Sequence, residues 1–262
     1  MTIQAVISVL EAVAPPHLQE SYDNAGLIVG DASEALTGVL FCLDSTEAIV
    51  EEAIALGCNL IVAHHPIVFR GLKRFNGSNY VERTVMKAIR SHVAIYAVHT
   101  NLDNVHQNGV NSRIAEKIGL LDTRILAPKP GAGSDVGAGL LGHLSQPMEE
   151  AAFLRHVKVQ MQTACVRHTA LRGRPVQTVA ICGGAGSVLL PEALRAGADA
   201  FVTADFKYHE FFDAENRLVI ADIGHFESEQ FTIELLCGIL REKFSTFALH
   251  LTKKNTNPVY YL

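Results

Sequence analysis

Two similar α/β lobes from an internal duplication, each with a mixed sheet flanked by helices, are the fold that the sequence predicts, and three observations predict it. A strand, a helix and a second strand follow one another from Val39 to Val62. That is a βαβ unit, which favours a parallel pair joined by a right-handed crossover. The same order of elements returns further along without a gap: a shift of 140 positions lays Val179-Ala180-Ile181-Cys182 on Val39 to Cys42, Glu192-Ala193 on Glu52-Ala53, Gly197 on Gly57 and Val202 on Val62. Such in-phase recurrence is the mark of duplicated lobes. Finally, 262 residues with 48% hydrophobic content are enough for one large α/β domain or two smaller lobes with cores of their own.

The elements follow in order. Ile3 to Val13 has helical apolar spacing and is closed by Pro15-Pro16. Ser21 to Gly30 is a polar turn entering a short strand, and Asp23-Asn24-Ala25-Gly26 is read as turn chemistry ahead of ligand contact. Val39 to Leu43 is a strand, Ser45 caps a helix from Thr46 to Leu56, and Gly57 ends it. The run Asn59-Leu60-Ile61-Val62 is a buried strand that Pro66 stops. A helix over Tyr80 to Ser91 leads into a strand over Val93 to Val98, and another helix lies near Asn108 to Ile118. Ala127 to Gly133, rich in Pro and Gly, marks a boundary or a surface loop. Beyond it come a strand at Gly139 to Leu144, a helix over Met148 to Val157, a strand around Ala164 to His168, the repeated βαβ pattern and a strand over Arg217 to Gly224. Asn255 to Pro258 with Val259 to Leu262 reads as a turn and a final strand. Lobe one therefore takes residues 1–126 and is completed by 225–262, and lobe two takes 127–224.

Composition narrows the function. Net charge is −5 and no long run of Lys or Arg occurs, so the electrostatic footprint of a DNA- or RNA-binding surface is lacking. The first residues have no basic n-region and no apolar stretch approaches a membrane span, which predicts a cytoplasmic protein with no membrane partner. The five cysteines are odd in number and form no C-x-x-C pair, so they are read as reduced, buried thiols.

The 12 histidines are the unusual part of the composition, and their positions carry the functional argument. His64 and His65 stand where a sheet opens into a loop, the place where α/β proteins bind ligands. Two further strands end in His-x-x-x-acid at equivalent places of the two lobes, His99 to Asp103 and His225 to Glu229. The lobe-two counterparts of His64-His65 are Ala204-Asp205, so the duplication is asymmetric in chemistry. His64, His65, Asp103, His225 and Glu229 together offer three imidazoles and two carboxylates, a donor set suited to Zn, Fe, Mn, Co or Ni. Five ligands exceed the need of one catalytic metal, whereas two ions about 3.5–4 Å apart, bridged by a carboxylate and a water or hydroxide, use them all. His99 is read as a sixth ligand or as a group that orients Asp103 or relays a proton. His209 is read as a pocket residue or as a surface histidine. Gly183-Gly184-Ala185-Gly186-Ser187 lacks the Gly-Lys-Ser/Thr ending of a P-loop and is read as a tight packing turn ahead of a phosphate cradle.

In combination and in this order, Asp23-Asn24-Ala25-Gly26-Leu27, Ala63-His64-His65-Pro66, His99-Thr100-Asn101-Leu102-Asp103, Cys182-Gly183-Gly184-Ala185-Gly186, Gly224-His225-Phe226-Glu227-Ser228-Glu229 and Asn257-Pro258 resemble the GTP cyclohydrolase I type 2 homologs, also called Nif-three-like dinuclear metal proteins. The resemblance runs nearly end to end. It implies two α/β lobes, a dimetal site between them held by the same five residues, and a toroidal homohexamer. Some members carry a further domain between the lobes, which this chain is too short after Pro130 to hold. The reading that results is a dinuclear metal-dependent hydrolase acting on a small molecule. The family name makes that molecule a nucleotide: GTP, opened at guanine C8 with loss of formate. The alternative is a non-catalytic metal-binding ring with a regulatory, metal-handling or DNA-associated role.

Overall fold

A computed structural model describes all of residues 1–262. The chain begins with α1 (Ile3–Val13), β1 (Gly26–Val29), β2 (Val39–Cys42), α2 (Glu47–Ala55), β3 (Leu60–Ala63), α3 (Tyr80–Arg90) and β4 (Ala94–Ala97). It continues through α4 (Thr100–Asp103), α5 (Val110–Ile118), β5 (Leu120–Pro128), β6 (Gly137–Met148), α6 (Glu150–Gln160) and β7 (Arg167–His168). Then come β8 (Val176–Ala185), α7 (Leu190–Arg195), β9 (Ala200–Ala204), β10 (Val219–Asp222), α8 (His225–Glu229), α9 (Thr232–Lys243) and β11 (Leu249–Leu251).

Two compact units result. Unit one comprises Met1–Leu102 and Thr232–Pro258. Its sheet runs β1-β4-β3-β2-β11, with β1 antiparallel to β4 and the other neighbours parallel. β2, β3 and β4 are buried at every position, as parallel strands covered on both faces must be. Leu40, Cys42, Ile61, Ala63 and Ile95 pack with Ile49, Val50 and Ala53 of α2 and Val85 and Ala88 of α3. The alternate residues point the other way: Tyr96 donates from its hydroxyl to Glu11 of α1, and α9 packs on both α1 and β2.

Unit two comprises Asp103–Phe231 and Val259–Leu262. Its sheet runs β5-β6-β8-β9-β10-β7, with β8, β9 and β10 parallel and the remaining pairs antiparallel. Leu126, Leu141, Ala180, Phe201 and Ile220 meet Leu190 and Ala193 of α7 on one face, while α5 packs against β8.

The repeat is visible in the ladders. Val39 pairs Leu60 in unit one and Val179 pairs Ala200 in unit two, the same register under the same shift. Leu60 pairs Ala94 as Ala200 pairs Val219, and each third strand carries an antiparallel edge strand, β1 or β7. Ala94 thus matches Val219, whereas His99 matches His225. The extra residue is Gly224, at φ +92°, where a side chain is strained.

Several expectations are corrected. The cap of α2 is Thr46, whose hydroxyl accepts from Ile49 N, one residue after Ser45. Leu120–Pro128 is a strand of nine residues, so the Pro/Gly-rich stretch is the connection of the β5–β6 hairpin. By contacts, the compact units divide at Leu102/Asp103 and Phe231/Thr232; β5 pairs into the second sheet, and α8 packs against β8 and β9. The final strand is Leu249–Leu251, and Val259–Leu262 is exposed, non-strand chain.

Candidate metal centre

In unit one, β3 ends at Ala63 and its parallel neighbours fix the backbone just beyond: His64 N donates to Cys42 O and His65 N to Leu43 O. The two imidazoles take different partners from there. His64 is fully buried and its Nδ1 lies 2.8 Å from Val98 O. His65 is half-buried, with Nδ1 2.8 Å from Asp44 Oδ1, and Thr256 Oγ1 donates to the other oxygen of Asp44 at 2.8 Å. His99 arrives from the end of β4, and its Nδ1 lies 2.8 Å from Asp23 Oδ1. The three rings are 4.8 to 5.4 Å apart between centroids, and one ring nitrogen from each lies within 4.8 Å of the others. His64, His65 and His99 can therefore hold a metal ion.

Asp23 is more than a turn residue. Its carboxylate accepts from Thr100 N at 3.0 Å and from Thr100 Oγ1, besides its contact with His99. Burial pushes its pKa up, but the hydrogen bonds from His99 and Thr100 and the charge of the ring outweigh that, leaving it at about 2. Nothing in the local sequence signalled that role, since the partners lie more than seventy positions away.

In unit two, His225 and Glu229 occupy successive turns of α8, which puts their side chains on one side. His225 Nε2 lies 3.1 Å from Glu229 Oε2, and its Nδ1 lies 2.7 Å from Asp205 Oδ2. Burial pushes the His225 pKa down, but the hydrogen bonds and charges of Asp205 and Glu229 push it up to about 11. His225 Nε2 and the Glu229 carboxylate thus face each other as a nitrogen and an oxygen donor of the kind a divalent cation takes. Asp205, the counterpart of His65 in the repeat, thus orients a histidine of its own unit.

The glycines beside this pair are packing positions. A Cβ on Gly184, at φ +63°, would stand 2.5 Å from Glu229 Oε1, and one on Gly186 would stand 2.2 Å from Thr203 Oγ1. Gly184 N donates to Ser228 Oγ and Gly183 N to Asn111 Oδ1, so both amides are spent within the unit. Asn111 also donates to Asp103 O at 3.0 Å, which fixes the backbone carrying that carboxylate. Burial and the charges of Asp103 and Glu229 push the Cys182 thiol well above its ordinary value, so it stays protonated and is no thiolate ligand. His209 lies exposed on a 3₁₀ turn, packed between Tyr208 and Phe212, and is a surface histidine. All five cysteines are free thiols; Cys42, Cys58 and Cys237 are buried, while Cys165 and Cys182 are half-buried.

The donor chemistry suits a divalent transition metal. His64, His65, His99 and His225 each have Nδ1 engaged by an oxygen, which leaves Nε2 as the donor, the arrangement that oxygen acceptors impose on metal-binding histidines. Asp44 and Asp205 were missed as partners in the sequence, although each follows a strand of the repeat closely. No helix is long and apolar enough to cross a membrane.

The family model for Duf34/NIF3 (NGG1p interacting factor 3) matches residues 1–258. A Lactococcus lactis protein named GTP cyclohydrolase 1 type 2 homolog is 35% identical over 252 residues, covering 95% of each chain. One of the same name from Clostridium perfringens is 32% identical over 230 residues, covering 87% of each. The crystal structure of a Bacillus cereus protein related to NIF3 superposes with a TM-score of 0.93 at 26% identity, covering 100% of this chain and 99% of that one.

Proposed function

This chain belongs to the Duf34/NIF3 family, and from that premise we propose that it is a metal-dependent hydrolase acting on a nucleotide. His64, His65, Asp103, His225 and Glu229 hold two divalent ions in this reading. The observation that carries it is the anchoring of His64, His65 and His225 through Nδ1 to Val98 O, Asp44 and Asp205, which presents the same nitrogen, Nε2, of each as a metal donor. Divalent ions at such a centre acidify water to near-neutral pKa and stabilise negative charge developing on a substrate.

The chain's own residues do the rest. Asp103 and Glu229 add carboxylate donors, and Asn111 steadies the first through its backbone carbonyl. His99, tethered by Asp23, holds or passes a proton at Nε2 beside His64 and His65. The relatives' name, GTP cyclohydrolase 1 type 2 homolog, gives the finer reading: a guanine nucleotide opened at C8 with loss of formate. A homohexamer in the cytoplasm completes the proposal.

Elemental analysis of the purified chain tests the metals, with two ions per chain expected and a sharp loss in Glu229→Ala; unchanged stoichiometry in that variant overturns the ligand set. A screen of the metal-loaded chain against nucleotides, phosphoesters and cyclic amides tests the hydrolase, with turnover expected and abolished in His65→Ala. No turnover with any of the five metals overturns it.

A further inference from the structure

Downstream of His65, between Pro66 and α3, unit one carries Phe69-Arg70-Gly71-Leu72-Lys73-Arg74-Phe75. The segment is irregular yet tied down. Asn24 Nδ2 donates to Val68 O at 2.6 Å, and Val68 and Leu72 pack against the core of the unit. At the far end Asn76 N and Ser78 N donate to the buried Glu82 carboxylate at 3.1 and 3.0 Å. Between these anchors Phe69 and Phe75 remain 48% and 55% exposed. Arg70, Lys73 and Arg74 are also exposed, and none of them makes an ion pair.

In a chain of net charge −5, three unpaired cations within five positions, flanked by two exposed phenyl rings, form a local exception. The segment also begins at the imidazole group: the Phe69 ring meets His99 edge to face, 5.6 Å between centroids and 84° between planes.

We propose that Phe69 to Phe75 is a nucleotide-recognition loop, with Phe69 stacking on the base and Arg70, Lys73 and Arg74 binding the phosphates. This deepens the hydrolase reading above and rests on it. A phenyl ring offers a π face that any base can stack on, and guanidinium and ammonium groups are the side chains that take phosphate oxygens. A simple carboxylate would leave the rings unused. A nucleic-acid strand needs a track of cations along its backbone, and the composition offers none beyond this loop.

The test is equilibrium dialysis of GTP with the metal-loaded full chain, with metal counted in the same samples. Phe69→Ala and the triple variant Arg70→Ala, Lys73→Ala, Arg74→Ala should each weaken GTP at least tenfold with metal content unchanged. Replacing three exposed cations elsewhere, Lys158, Arg174 and Lys243, by Ala should leave binding as it was. All of these side chains are exposed, and circular dichroism checks that each variant folds. Wild-type affinity in the triple variant overturns the loop, as does a wild type that ignores GTP while retaining a dT20 oligonucleotide. A chain that binds GTP through these residues but holds no metal overturns the hydrolase reading and upholds the loop.

Discussion

Asp44, Asp205 and Asp23 do for three imidazoles what the backbone carbonyl of Val98 does for His64: each engages Nδ1 and so makes Nε2 the nitrogen left to a metal. A ring held this way loses one tautomer and most of its rotation before any ion arrives, which lowers the entropy that binding must overcome. Asp44→Ala should therefore weaken metal binding by about 10- to 100-fold while leaving all five proposed ligands in place. Competition against a chromophoric chelator measures it, and an unchanged affinity would show that Asp44 serves only Thr256. The histidines themselves were legible in the sequence because they stand at strand ends. Their acceptors were not, because an Asp near a strand end has many ordinary uses and its partner is fixed only by the ladder register.

At the scale of elements, the long regular pieces were readable and the junctions were not. α1, α3 and the three parallel strands of each unit announce themselves through apolar spacing and runs of β-branched residues. β5 did not, since Leu120–Pro128 alternates irregularly between buried and exposed positions and ends in proline. Nor did the reason for Gly184, which is steric: any side chain there meets Glu229. Gly184→Ala should cost about 1–3 kcal/mol through the left-handed backbone and the overlap together, and should lower metal content by displacing the carboxylate. Chemical denaturation and elemental analysis of the same sample separate the two effects; a stable variant with full metal would refute the clash.

A second junction, at the start of α6, is held by charge. Glu150 and Arg172 are both nearly inaccessible, and the carboxylate accepts from Arg172 N, Arg172 Nε and Gly173 N. Burial pushes the Glu150 pKa up, but these bonds and the guanidinium bring it below the ordinary 4.5. The folded chain thus binds that proton more weakly than the unfolded one, so the stabilisation is complete above about pH 4.5 and is lost as pH falls below it. Glu150→Gln should be destabilised at neutral pH and should lose less on acidification than the wild type. Urea midpoints between about pH 3 and 7 decide it, and parallel curves would remove Glu150 as the cause.

Across the whole molecule, duplication explains why the two units carry different donors at equivalent strand ends. The two units share strand order and register over three parallel strands, so each offers the same strand ends for substitution. Unit one places His64 and His65 after β3, while unit two places Asp205 after β9 and uses it to hold His225. The proposed ligands therefore come from both units: His64 and His65 from the first, and Asp103, His225 and Glu229 from the second. An ion that binds only the folded chain stabilises it by mass action, about 2.7 kcal/mol at a free concentration one hundred times Kd. For a chain of this size, at about 2–4 °C per kcal/mol, that corresponds to a rise in Tm of roughly 5–11 °C, reversed by chelator. If the five residues act as one centre, His225→Ala should abolish the rise as fully as His65→Ala, although the two residues lie in different units. Differential scanning calorimetry with and without metal reads this directly. A rise that survives either substitution at full size would mean that the ion is held by one unit alone, and the five-residue ligand set would have to be abandoned.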